Sequence, residues 1–190
     1  MQWIALTQTD PFARGLEYLR SLQTLVPDPG LIHQWDSDLP SDRLQYHLPI
    51  CTWIGSHIDT LNAQLDRHLT ACQDCFYPDQ RPAVQIFAAP LAPAYGIDGF
   101  CNLELRPIPI LIDVGRVVRS DWLRLVVHEY AHAKVGTAGH DSRFLAILEH
   151  LCLGLAIPLP SDSTLRLQQA SRLPDYRALA DASRFWMGNH

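Results

Sequence analysis

The chain has 190 residues, of which 47% are hydrophobic and 18% charged, enough apolar content for one buried core and too little charge for a disordered polyelectrolyte. Its formal charge of -5, from 15 Lys+Arg against 20 Asp+Glu, excludes the overall basic excess that marks general nucleic-acid binding. Five cysteines are an odd number in a chain long enough to fold without staples, residues 1–10 lack the basic and apolar regions of a secretory signal, and no run reaches the roughly 18 apolar residues that cross a bilayer. The expected setting is therefore a reducing cytoplasm without a membrane partner.

The first eighty residues read as a helical segment. Pro11 suits a helix start, and Phe12, Leu16, Leu19 and Leu22 form an apolar stripe that ends at the breaker cluster Pro27, Asp28, Pro29 and Gly30. After Pro49, Ile50, Trp53, Ile54, His57, Ile58, Leu61, Leu65 and Leu69 recur at spacings of three and four, which predicts one long amphipathic helix lying on a core. From residue 84 the texture changes. Runs at 84–87, 100–105 and 110–114 are rich in β-formers and separated by Pro and Gly, which predicts three strands of a small, mostly antiparallel sheet. Pro107 and Pro109 precede the third run, so an edge is expected near residues 106–110.

Two helices follow. The first is expected from a cap at Ser120 or Asp121 to Val135, with Gly136 as its stop. The second starts after His140, capped by Asp141 or Ser142, and carries Phe144, Leu148, Leu151 and Leu155 on one face until Pro158. A modest helical pattern over 165–179, interrupted at Pro174, closes the chain. The fold class is α+β, divided into a helical segment (1–80) wrapped on the outside, a catalytic core (81–157) and a C-terminal extension (158–190).

The chemistry concentrates in the first of those two helices, where His128, Glu129 and His132 form an H-E-x-x-H motif. Residues four apart lie on one helical face, so two imidazoles can share a metal ion while Glu129, one step round, reaches the attacking water. The chain holds only four glutamates (Glu17, Glu104, Glu129 and Glu149), so chance would give this motif on the order of 0.01 times in such a composition. A catalytic Zn²⁺ needs a third protein ligand and an open fourth position. His140, delivered by the Gly136 to Gly139 turn, is the first candidate, and Glu149 in the next helix is its rival. The metzincin spacing would require a histidine where Ala138 stands.

The order of a short sheet, the H-E-x-x-H helix and then Gly139, His140 and Phe144 resembles the core of the SprT-like zinc metallopeptidases, a family that includes proteases acting on proteins crosslinked to DNA. The resemblance covers residues 84–155. It implies a zincin-like fold, Zn²⁺ held by His128, His132 and His140, Glu129 as catalytic acid/base, and a protein or peptide substrate bound along a sheet edge. No cysteine follows Cys152, so the zinc ribbon of many relatives is missing, and with the acidic total charge nucleic acid is not the expected partner.

The oxyanion of such a reaction needs a further donor, for which Tyr95, His150 and Tyr176 are candidates. Two other readings compete with the peptidase: a glutamate-ligand enzyme using Glu149, and a non-catalytic module in which metal only fixes the helices. Cys72 and Cys75 form a C-x-x-C without a second pair, and ordinary packing accounts for them better than a structural zinc completed by Cys101 or His68. His33, His47, His57 and His68 read as scattered helix or loop residues, and Trp3, Trp35, Trp53, Trp122 and Trp186 as core or capping contacts.

Overall fold

The computed structural model describes residues 10–32 and 41–189, so Trp3, His33 and Trp35 lie outside it. Helix α1 (Pro11–Gln23) is capped by Asp10, whose carboxylate accepts from Ala13 N. Helix α2 (Ser41–Asp74) contains Pro49, after which the sequence pattern would start it. A proline removes one intrahelical hydrogen bond, and the buried stripe of Ile50, Ile54, Ile58, Leu61, Leu65 and Leu69 beyond it more than offsets that loss. The two helices meet where glycines remove side chains. A Cβ at Gly15 would lie 1.9 Å from the Cys51 carbonyl oxygen, and one at Gly55 equally close, at 1.9 Å, to that of Pro11.

Strands β1 (Val84–Ala88), β2 (Gly99–Cys101) and β3 (Ile108–Ile112) form one sheet in the order β1-β3-β2. β3 runs parallel to β1 and antiparallel to β2. Two expectations are thereby corrected: the sheet is mixed rather than mostly antiparallel, and the strand holding Pro109 is central rather than an edge. The register explains how a central strand tolerates proline. Ile108 N–H donates to Ala83 O (2.8 Å), so Pro109 turns its nitrogen and carbonyl towards β2. There Asn102 N–H donates to Pro109 O (3.0 Å), and the missing N–H falls just past the last paired residue of the short β2. All five residues of β3 are buried, as a strand covered on both faces requires.

Helix α3 (Trp122–Val135) follows at the expected limits, whereas helix α4 (Ser142–Gly154) starts where expected but stops before Leu155, short of Pro158. Gly136 ends α3 in the left-handed conformation (φ 77°), and the Asp141 carboxylate caps α4 through Arg143 N (3.0 Å) and Phe144 N (3.1 Å). Asp121 precedes α3 but caps nothing: its carboxylate is spent on Arg177 (2.9 Å).

The C-terminal region departs most from its periodicity. Helix α5 (Ser163–Gln168) stops early, the chain turns extended, and only a short helix α6 (Ala182–Trp186) follows. Pairing across the fold replaces helix here: Val118 N–H donates to Arg177 O (3.1 Å) and Leu179 N–H to Arg116 O (2.6 Å). The segment is then pinned by Trp186, whose indole N–H reaches the buried Asp113 (2.8 Å).

One apolar cluster links helices α1, α2, α3, α4 and α6 with the sheet, from Leu19 and Leu22 in α1 through β3 and α3 to Leu173 and Trp186. The helical segment expected on the outside therefore shares the core. No helix among the described residues is long and apolar enough to cross a membrane.

The α1–α2 crossing gives a direct test of this packing. Gly15→Ala forces backbone against backbone, where no side chain can yield, and should cost at least about 2 kcal/mol in urea denaturation. Ala13→Gly, at an exposed position of the same helix, should cost only about 1 kcal/mol.

Candidate metal centre

Helix α3 carries His128 and His132 one turn apart on the face turned towards β2 and the α3–α4 turn. His140 comes from that turn, where the left-handed Gly136 reverses the chain within a few residues. The three Nε2 atoms form a triangle with every side 3.2 Å. Tetrahedral bonds of 2.0–2.1 Å to one ion would separate the ligand atoms by about 3.3 Å. The triangle thus has the spacing that three imidazole ligands of one metal ion would take.

The ring protons settle what these nitrogens can do. His128 Nδ1 lies 2.7 Å from Leu173 O, and His132 Nδ1 lies 2.9 Å from Thr137 O. A carbonyl only accepts, so both Nδ1 atoms carry hydrogen and both Nε2 atoms present lone pairs to the centre. Burial, opposed by the Leu173 hydrogen bond and reinforced by the neighbouring imidazoles, holds His128 down to a pKa of about 4. Burial lowers His132 and His140 as well. Neutral rings converging on one point are the state in which imidazole binds metal.

Phe144, fully buried at the start of α4, closes the site from below. Its ring centroid lies 5.1, 4.4 and 4.8 Å from those of His128, His132 and His140. Among the described residues this is the one group of histidine, cysteine or acidic side chains with metal-binding geometry. Glu149 does not join it, because its carboxylate pairs with Arg166 (2.7 Å). Cys72, Cys75 and Cys101 are free thiols, and neither they nor His68 belong to such a group.

Glu129 lies beside the triad with 7% of its surface exposed. It lines a cleft of about 380 Å³ together with the three histidines, the 96–101 segment including β2, Leu125, Ser171 and Tyr176. Burial first, and then the charge of Asp98, push its carboxyl up to about 8. β2 leaves room for it through Gly99, where a Cβ would stand 2.6 Å from Glu129 Oε1. Gly99 and Cys101 also point their backbone N–H and C=O away from β3, because the hydrogen-bonded rungs are made by Asp98 with Asp113 and Asn102 with Pro109. The cleft thus runs beside an open strand edge.

Of the three oxyanion candidates, only Tyr176 lines this cleft. Tyr95 donates to Asp28 elsewhere on the surface, and His150 is bonded to Cys75 O (2.8 Å). Sequence reading missed Asp98, Gly99 and the Leu173 carbonyl. The paired glycines around Asp98 were a visible signal of close backbone approach, whereas a supporting carbonyl leaves no trace in residue type.

No family model matches the chain, and no curated protein or solved structure is significantly similar to it.

The buried carboxyl sets a pH-dependent stability for the metal-free protein. A group raised from its unfolded value of 4.5 to about 8 penalises the fold increasingly as pH rises between those values. Metal-free Glu129→Gln should therefore match the wild type at pH 4.5 and exceed it by a few kcal/mol at pH 9, measured by paired urea denaturation. An equal difference at both pH values would contradict this.

Proposed function

We propose that the protein is a zinc-dependent metallopeptidase that hydrolyses peptide bonds of protein substrates, in keeping with its resemblance to the SprT-like family. The observation that carries this reading is the triangle of three imidazole nitrogens, 3.2 Å on each side, with a buried carboxylate beside it in an open cleft. Three neutral histidines with a fourth position facing solvent are the donor set of catalytic zinc, whereas structural zinc usually takes four protein ligands.

His128, His132 and His140 would hold zinc, which would supply the Lewis acidity that makes water a nucleophile near neutral pH and polarises a carbonyl. Glu129 accepts the proton of the attacking water and returns it to the leaving amine. Burial and the nearby charge of Asp98 favour its protonated form, which suits a group that must hold a proton between those two steps. The Leu173 and Thr137 carbonyls fix the ring orientation of His128 and His132. An extended peptide is held by main-chain hydrogen bonds to Gly99 and Cys101.

Purified protein should contain one zinc per chain by elemental analysis. His132→Ala and His140→Ala should lose it, while Glu149→Ala should retain it. Glu129→Gln should keep the metal and lose about 10²–10⁴-fold in casein or fluorogenic-peptide cleavage. Zinc kept by His140→Ala and lost by Glu149→Ala would overturn the three-histidine site. A zinc-loaded wild type that cleaves no substrate would overturn the peptidase reading.

A further inference from the structure

The C-terminal segment forms part of the cleft wall through Ser171 and Tyr176, and Tyr176 is held there by several contacts. Leu173 O accepts from His128 Nδ1 (2.7 Å) on one side of it. On the other side, Arg177 N donates to Asp121 Oδ2 (3.0 Å) just before α3. The segment carrying Tyr176 is thus tied at two points to the helix that carries the metal ligands.

The phenol itself has a support of its own. Its hydroxyl donates to Asp98 Oδ2 (2.9 Å), while Asp98 Oδ1 is paired with Arg116 Nη1 (3.6 Å). Arg116 in turn donates through Nε to Asp113 Oδ2 (3.1 Å) and through Nη2 to Leu91 O (3.2 Å). Asp113 is 1% exposed and also accepts from Leu91 N (3.0 Å), Gly115 N (3.1 Å) and the Trp186 indole (2.8 Å). A continuous polar chain therefore runs from the interior to one hydroxyl at the cleft. Ser171, the other hydroxyl lining the cleft, is exposed.

Resting on the peptidase reading, we propose that Tyr176 is a catalytic residue, donating its phenolic hydrogen to the oxyanion formed when a peptide carbonyl is attacked. Asp98, backed by Arg116 and Asp113, is the positioning residue that holds the phenol in place. No bond to Tyr176 forms or breaks. The O–H rotates about its C–O bond from Asp98 to the oxyanion, the proton stays on the phenol, and Asp98 keeps Arg116 as its partner when the hydroxyl leaves. Its burial first, and then the nearby charges of Asp98 and Glu129, keep the phenol protonated. A donor used only when negative charge develops raises kcat without changing ground-state binding.

The test uses full-length zinc-loaded protein. Tyr176→Phe should retain one zinc per chain and its KM for a cleaved fluorogenic peptide, and lose on the order of 100-fold in kcat. By calorimetry it should bind a phosphinic peptide, whose anionic tetrahedral phosphorus stands in for the oxyanion, on the order of 100-fold more weakly than wild type. Asp98→Ala should lose about 10-fold in kcat, and the Asp98→Ala/Tyr176→Phe double variant should be no slower than Tyr176→Phe alone, because both losses act through one hydroxyl. Wild-type kcat or undiminished phosphinic-peptide affinity in Tyr176→Phe overturns the assignment, and strictly multiplicative losses in the double variant overturn the role of Asp98. A wild type that cleaves nothing overturns the peptidase reading and this inference together; cleavage at the wild-type rate in Tyr176→Phe overturns this inference alone.

Discussion

The lone pairs of His128 Nε2 and His132 Nε2 face each other at 3.2 Å with no proton between them, and His140 Nε2 comes equally close to both. The chain must therefore hold His128, His132 and His140 together with contacts made elsewhere on the rings. Two backbone carbonyls take the outward Nδ1 hydrogens, and Phe144 fills the space beneath all three. Those carbonyls come from different sources: Thr137 belongs to the turn that ends α3, while Leu173 arrives from far along the chain. Much of the architecture follows from delivering these supports, since the turn needs the left-handed Gly136 and the Leu173 segment is anchored to residues 116–118 and to Asp121 just before α3.

The parts of this arrangement that were legible in the sequence are the local ones. The H-E-x-x-H spacing on one helical face, the Gly136 stop and the Asp141 cap are each decided within a turn of helix, where residue type and geometry are tightly linked. His140 was accessible for the same reason, because a short turn leaves few places for a third ligand to go. Sheet order was not, since a strand reads the same whichever neighbours it pairs with. Pro109 pointed to an edge because a proline lacks one donor, but the cost depends on which side that donor would face and on whether a partner is there. β2 ends where the missing N–H would have been used, so β3 keeps its central place.

The C-terminal segment was misjudged for a related reason. Its helical pattern over 165–179 is a weak local preference, and it loses to backbone pairing with residues 116–118 and to the Asp121–Arg177 and Asp113–Trp186 contacts. These partners are distant in sequence, so nothing in the segment itself announces them. Their effect is to turn what reads as an extension into a wall of the cleft, and to couple Asp113 deep in the core to a hydroxyl at the surface. Asp113 shows how such a hub is sustained: burial raises its carboxyl to about 6, while three N–H donors and Arg116 favour its charge.

Glu129 stands in contrast to Asp113, and the contrast bears on what the cleft does. Both carboxylates are buried, but Asp113 is surrounded by donors, whereas Glu129 meets burial and the like charge of Asp98. A structural carboxylate is normally satisfied by the fold, because an unsatisfied one costs stability at every pH where it is ionised. The chain nevertheless removes the Cβ at Gly99 to seat this group against the strand edge, and places it beside three imidazole nitrogens that could hold a metal ion. One bound dication would relieve both costs at once, stabilising the carboxylate and the converging imidazoles.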